Sequence, residues 1–277
     1  MLAERARSAC AMRVLDIGVL SRRQFLVGAA LAGASFFGRR AWALGVSSQL
    51  TIAEVSGPGA GYVPRSSALR RLLWEVDKRT SLDVRLESVA LRLDDARSAP
   101  ELARSPLLYL AGSGSPPPLD DNTLARLRRH LQAGGMLVVD NAEGHLGGAF
   151  DRWTRALAER LLPGEPLRPL AEDHVLYKSF YLLRGAPGRV NAAPGLEGIT
   201  HDGRAALVYS QNDLGGAWAR DTLGRWEHEV VPGGEEQREM ALRVGINLLL
   251  YATCLDYKAD QVHVPFILNK RRWRVTP

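Results

Sequence analysis

Two short runs, Leu107-Leu108-Tyr109-Leu110-Ala111 and Met136-Leu137-Val138-Val139-Asp140, constrain the fold more than anything else in this chain. Each is apolar at successive positions, so neither has a polar face for water, and five residues are too few for a buried helix. Such runs are strands covered on both sides, as in the parallel sheet of an α/β protein. Between them, Leu124, Leu127 and Leu131 share one face of a helix that Asp120 or Asp121 starts and Gly134-Gly135 ends. Strand, helix, strand at this spacing is a crossover unit.

The pattern extends in both directions. Leu50 to Val55 reads as a strand closed by Gly57-Pro58-Gly59, and Leu69, Leu72, Leu73 and Val76 as the buried stripe of a helix capped by Ser66 or Ser67. Asp83 to Leu93 reads as a second strand. After Asp140, a helix buries Phe150, Trp153, Leu157 and Leu161. Tyr177 to Leu183, Gly188 to Asn191 and Ala205 to Tyr209 are strand candidates, Gly215 to Gly234 a long loop, and Glu235 to Cys254 a long buried helix. The pattern predicts a three-layer α/β sandwich with a mostly parallel sheet.

The first 43 residues follow a different logic. Ser21-Arg22-Arg23-Gln24-Phe25-Leu26 precedes an apolar run to Phe37 and then Ala41-Trp42-Ala43, the layout of a twin-arginine export signal cut after Ala43. The run is too short and too rich in Ala and Gly for a membrane span. The leader holds seven of the chain's 36 Lys and Arg and two of its 30 Asp and Glu, leaving 29 against 28 in the rest. The basic excess is therefore largely a property of the leader, and no nucleic-acid partner is expected. Of the two cysteines, Cys10 lies in the leader and Cys254 stands alone beyond it, which excludes an intrachain disulfide after cleavage and any Cys-x-x-Cys site. Residues 44–277 are expected to form one domain with no stable membrane span, in the periplasm or another extracytoplasmic space. The translocase is its transient partner, and either Met1 or Met12 is the start.

Several motifs in order carry a family resemblance: Gly134 to Asp140, Phe150-Asp151-Arg152, Asp173-His174-x-x-Tyr177-x-x-Phe180-Tyr181, Tyr209-Ser210-x-x-Asp213-Leu214-x-x-Ala217-Trp218, Gly245-Ile246-Asn247 with Tyr251, and Asp260 to Leu268. Together they resemble the bacterial domain-of-unknown-function family 4159. That resemblance implies a flavodoxin-like sandwich of the class I glutamine amidotransferase type and a partner among envelope or membrane proteins. In amidotransferase-type enzymes a strand enters a tight elbow that exposes a Cys, with backbone amides from a Gly-rich loop around the oxyanion. Gly112-Ser113-Gly114 is the matching loop here, and Asp140-Asn141-Ala142-Glu143-Gly144 stands in the elbow's place without Cys or Ser. No catalytic nucleophile is assigned.

The ligand-binding candidates are Gly112, Ser113, Asp140, Asn141, Glu143, His145, Asp173, His174, Tyr177, Asp213 and Trp218, gathered on the principle that open α/β sheets bind ligands beyond the carboxyl ends of their strands. No cofactor and no metal is assigned, although a mixed Asp/His set is of the kind that can hold a divalent ion. Two functions follow. The first is a non-catalytic ligand- or partner-binding domain of the cell envelope. The second is a hydrolase, with or without a metal, working through Asp140, Glu143, His145 and His174. For the address itself, replacing both arginines (Arg22→Lys with Arg23→Lys) is expected to retain a tagged chain in the cytoplasm. Equal periplasmic recovery of wild type and variant after fractionation would contradict that assignment.

Overall fold

The computed structural model describes residues 49–253; the leader, Cys254 and the Asp260 to Leu268 motif lie outside the described residues. Its centre is a seven-stranded sheet in the order β2-β1-β3-β4-β7-β6-β5. The strands are β1 (Ile52–Ser56), β2 (Val89–Arg92), β3 (Leu107–Gly112), β4 (Met136–Asn141), β5 (Arg168–Pro169), β6 (Glu197–His201) and β7 (Arg204–Ser210). Neighbours from β2 to β7 run parallel, while β6 is antiparallel to both β7 and β5. This is a mostly parallel α/β sandwich of the flavodoxin-like kind. The two unbroken apolar runs, Leu107 to Ala111 and Met136 to Asp140, are β3 and β4, buried at every position.

Pleating divides the side chains of each strand between two cores. On one side Tyr109, Met136 and Val138 meet α1 (Ser66–Arg79), α5 (Leu214–Trp218) and α6 (Gly234–Thr253). On the other, Leu108, Leu110, Leu137 and Val139 meet α2 (Ala99–Arg104), α3 (Asp121–Gln132) and α4 (Ala149–Leu161). Two apolar layers of helix thus cover one apolar sheet, which is why its central strands carry no polar residue before their tips.

Helix starts follow the local chemistry. Asp120, not Asp121, caps α3, its carboxylate accepting from Thr123 N at 3.0 Å. Neither Ser66 nor Ser67 caps α1. Arg65 holds the cap position without a side-chain capping bond, and the Ser66 hydroxyl turns back to Glu54 at 2.5 Å, because β1 places that carboxylate beside it.

Four other expectations need correction. Of Asp83 to Leu93, only Val89–Arg92 is a strand, with Val84 in an isolated bridge to Leu50 and Leu86 exposed. Tyr177 to Leu183 is not a strand. Its first residues lie in a 3-10 turn, Val175–Lys178, and the rest is tied down by Asn247 of α6, whose amide accepts from Tyr181 N and donates to the carbonyls of Leu176 and Tyr181. Gly188 to Asn191 is likewise outside the sheet, although Arg189 and Val190 donate their N–H groups to the carbonyls of Asp213 and Asn212. Part of the expected loop from Gly215 is α5, a short helix sunk in the core.

Asn247 therefore does for this segment what a neighbouring strand would have done. Replacing it by the similarly sized Leu (Asn247→Leu) strands three backbone groups, the buried Leu176 carbonyl and the half-buried N–H and carbonyl of Tyr181, so a loss of about 2–4 kcal/mol is expected in urea unfolding. A loss below about 0.5 kcal/mol would show that the segment is held by its apolar contacts instead.

Candidate functional site

Ligands of doubly wound sheets ordinarily enter where strand order reverses, here between β1 and β3. The chain fills that crevice itself. Tyr62 bridges antiparallel to Gly112, Val63 N donates to Ala111 O, and Ser113 N donates to Gly61 O at 2.9 Å. Gly112 carries more: its carbonyl accepts from Ala142 N at 2.9 Å, and its bare Cα lies against the Phe150 ring, where no side chain fits.

The corner after β4 is closed in the same way. Asn141, buried, builds the turn, donating to His145 O and accepting from Glu143 N. Glu143 then reaches back: its Oε1 accepts from Gly114 N at 2.7 Å and from Phe150 N, in the first turn of α4, at 3.3 Å. The amides suited to an oxyanion are thus engaged, Ser113 by a carbonyl and Gly114 by a carboxylate, and the positive end of α4 favours that charge. His145 stands beside Glu143 at 3.6 Å on the exposed side.

Asp140 faces the other way. The pleat turns it toward α1 and α5, where it is fully buried and accepts from Tyr109 Oη at 2.5 Å, Leu214 N at 2.9 Å and Gly215 N at 2.7 Å. Gly215 makes that approach feasible, since a Cβ there would overlap the Tyr109 hydroxyl. Burial, with Asp213 nearby, pushes the Asp140 carboxyl up to about 6. Burial also drives the Tyr109 phenol well above its ordinary range, so it stays a donor.

Asp213 is the second buried carboxylate and sits at the strand-to-helix turn after β7. Its backbone is left-handed, φ 52° and ψ 64°, a region that Asp tolerates better than most residues. One carboxylate oxygen accepts from Gly216 N at 2.9 Å and from Arg65 Nη2 at 2.8 Å; the other pairs with Arg189 Nε. Arg65 Nη1 also contacts His228 Nε2 at 3.3 Å. A guanidinium can only donate, so Nε2 carries the lone pair and the neutral ring has its proton on Nδ1. Burial first, then the Arg65 charge, holds the His228 pKa below its ordinary value.

The remaining candidates lie elsewhere. His174 caps the 3-10 turn, accepting from Leu176 N through Nδ1, and its ring lies 5.6 Å from that of Tyr251. Tyr251 accepts from Ala205 N at the start of β7, five residues before Ser210, the partner of Asp140 across the sheet. His174 is thus about 16 Å of strand away from the β4 tip. Asp173 is exposed beside it. Tyr177 is buried, its hydroxyl accepting from Leu196 N at 2.8 Å. Trp218 is buried against Tyr109 and against Gly245 of α6. Among the described residues no group of three or more His, Cys, Asp or Glu is placed to hold a metal ion, and no helix is long and apolar enough to cross a membrane.

Sequence reasoning missed Arg65, Arg189 and His228. Each looks like an ordinary loop residue, and the one available signal was a lone Arg directly before a helix that begins without an acidic residue.

The fold and its strand-tip cluster define a doubly wound α/β domain whose polar edge is paired with itself. The family described as a domain of unknown function, DUF4159, matches residues 51–253, and the chain belongs to it. A search of curated proteins found no match.

Because the folded Asp140 binds its proton more tightly than an unfolded Asp near 3.9, it adds stability below about pH 4 that is lost as pH rises through about 6. Relative to Asp140→Asn, the wild type is expected to lose roughly 2–3 kcal/mol across that window in urea unfolding. A relative gain over the same interval would contradict the assignment.

Proposed function

We propose that this chain is an exported protein of the cell envelope whose sandwich binds a ligand or partner without catalysing a reaction on it. One observation carries the reading: at the β4 corner, where an amidotransferase-type nucleophile would stand, Glu143 occupies the Gly114 and Phe150 amides with its own carboxylate. An oxyanion needs those amides free and aimed at a reacting carbonyl. Here they are spent in the resting fold, and no thiol or hydroxyl adjoins them in Asn141-Ala142-Glu143-Gly144.

The hydrolase reading has less to stand on. Its four residues divide among three places: Asp140 shut in toward α1, His174 near the far end of β7, and only Glu143 and His145 adjacent. General acid-base chemistry requires its groups within hydrogen-bond reach of one bound molecule. Export rests on the Arg22-Arg23 leader and on a chain that needs no disulfide, as suits a route that carries folded proteins. The amidotransferase-like ancestry and an envelope or membrane protein partner come with the family resemblance.

The direct test is covalent trapping. The purified chain, incubated with 6-diazo-5-oxo-norleucine and separately with a fluorophosphonate, is expected to keep its intact mass. An adduct mapped to residues 141–145 would contradict a non-catalytic corner.

A further inference from the structure

The edge between β4 and β7 has donors that the fold leaves unused. Arg189 spends only Nε, on Asp213, and its terminal nitrogens have no acceptor among the described residues, while the side chain is 26% exposed. Its Nη2 end reaches the β4 corner, 3.1 Å from where a Cβ on Gly144 would stand, and Gly144 has φ +67°. Joined to the same Arg65–Asp213 pair, His228 is 40% exposed, with Nε2 occupied by Arg65 and a proton on Nδ1. Beneath both, Arg65 is 8% exposed, yet its Nε has no partner among the described residues. A stranded donor on a buried guanidinium is costly, and proteins seldom leave one without a use.

Exposure thus rises from Asp213 at 1% through Arg65 at 9% and Arg189 at 26% to His228 at 40% of the side chain, so the cluster runs from a fixed, buried base to donors that meet water. Resting on the ligand-binding reading above, we propose that this cluster recognises a small carboxylate, with the terminal nitrogens of Arg189 as the fork and His228 as the second donor.

Charge selects carboxylate over phosphate. Arg65 and Arg189 already face Asp213, and Glu227 sits at the rim, 4.0 Å from His228. Glu54 lies on the other side of Arg65, accepting from its backbone N–H. The edge therefore offers directed donors rather than net positive charge. A planar monoanion matches a guanidinium fork edge to edge, whereas a dianion would meet three nearby carboxylates. Glycine at 144 keeps the approach to the fork clear.

The test uses the full chain, labelled with 15N and 13C, titrated with sodium acetate while sodium chloride holds ionic strength constant. The Arg189 Nε–H and His228 ring signals are expected to shift and saturate, with Kd on the order of millimolar for a ligand of so few atoms. Arg189→Lys and His228→Gln are each expected to weaken binding about fivefold or more while the amide spectrum keeps its folded dispersion. Exposed His228 makes the second variant safe for folding even if the first is not. Shifts that stay linear to about 100 mM acetate and match those of chloride would overturn the proposal. So would saturation that His228→Gln leaves unmoved, or tighter binding of inorganic phosphate than of acetate. A covalent adduct at the β4 corner would instead overturn the non-catalytic reading, and it leaves this titration untouched.

Discussion

Two carboxylates without solvent, Asp140 and Asp213, set the terms for the whole carboxyl edge of the sheet. A buried charge is tolerated only when it is paired and hydrogen-bonded, and these two draw in most of what surrounds them. Asp140 takes the Tyr109 hydroxyl and the two amides that open α5; Asp213 takes Gly216 N, Arg65 and Arg189. Through these bonds β3, β4, β7, the start of α1 and the 188–190 segment meet at one place. Short as it is, α5 has its position set by Asp140 and by Trp218 at its other end.

On the other face of β4, Glu143 works on the same principle with fewer partners. It brings the loop after β3 and the start of α4 together, so the β4 tip and the turn after it serve both layers of the sandwich. The edge consequently has rigid geometry in two directions and few groups in reserve. Of those in reserve, the Arg189 fork and the His228 ring face water, and Arg65 Nε lies buried beneath them. The proposed binding role rests on that contrast between a largely engaged interior and an open rim.

Much of this frame was legible in the residues. Leu107 to Ala111 and Met136 to Asp140 could be read because a strand buried on both faces leaves an unbroken apolar run, and α3 because Asp120 and Gly134 bracket its stripe. Asp140 and Asp213 stood out as carboxylates at the ends of such runs. What could not be read was the pairing. Arg65 lies 148 residues from Asp213, and nothing in a Pro64-Arg65-Ser66 sequence announces a buried guanidinium. Tyr177 to Leu183 has strand-like composition, but Asn247 satisfies its backbone from a helix, an arrangement that leaves no periodic trace. Likewise β6 escaped notice because Glu197 and Gly198 look like turn residues until Arg155 pairs with the carboxylate. Asp173 and His174 were grouped with the site because both carry ligand chemistry, and only the course of the chain past β5 carries them away from it.

The claim most exposed to measurement is that Asp140 fastens the start of α5. Amide hydrogen exchange at Leu214 and Gly215 reports it directly, since both N–H groups end on one buried carboxylate. Protection comparable to that of the β4 amides, lost at these two positions first in Asp140→Ala, is the outcome the account requires. Exchange at the rate of exposed loop amides in the wild-type chain would contradict it.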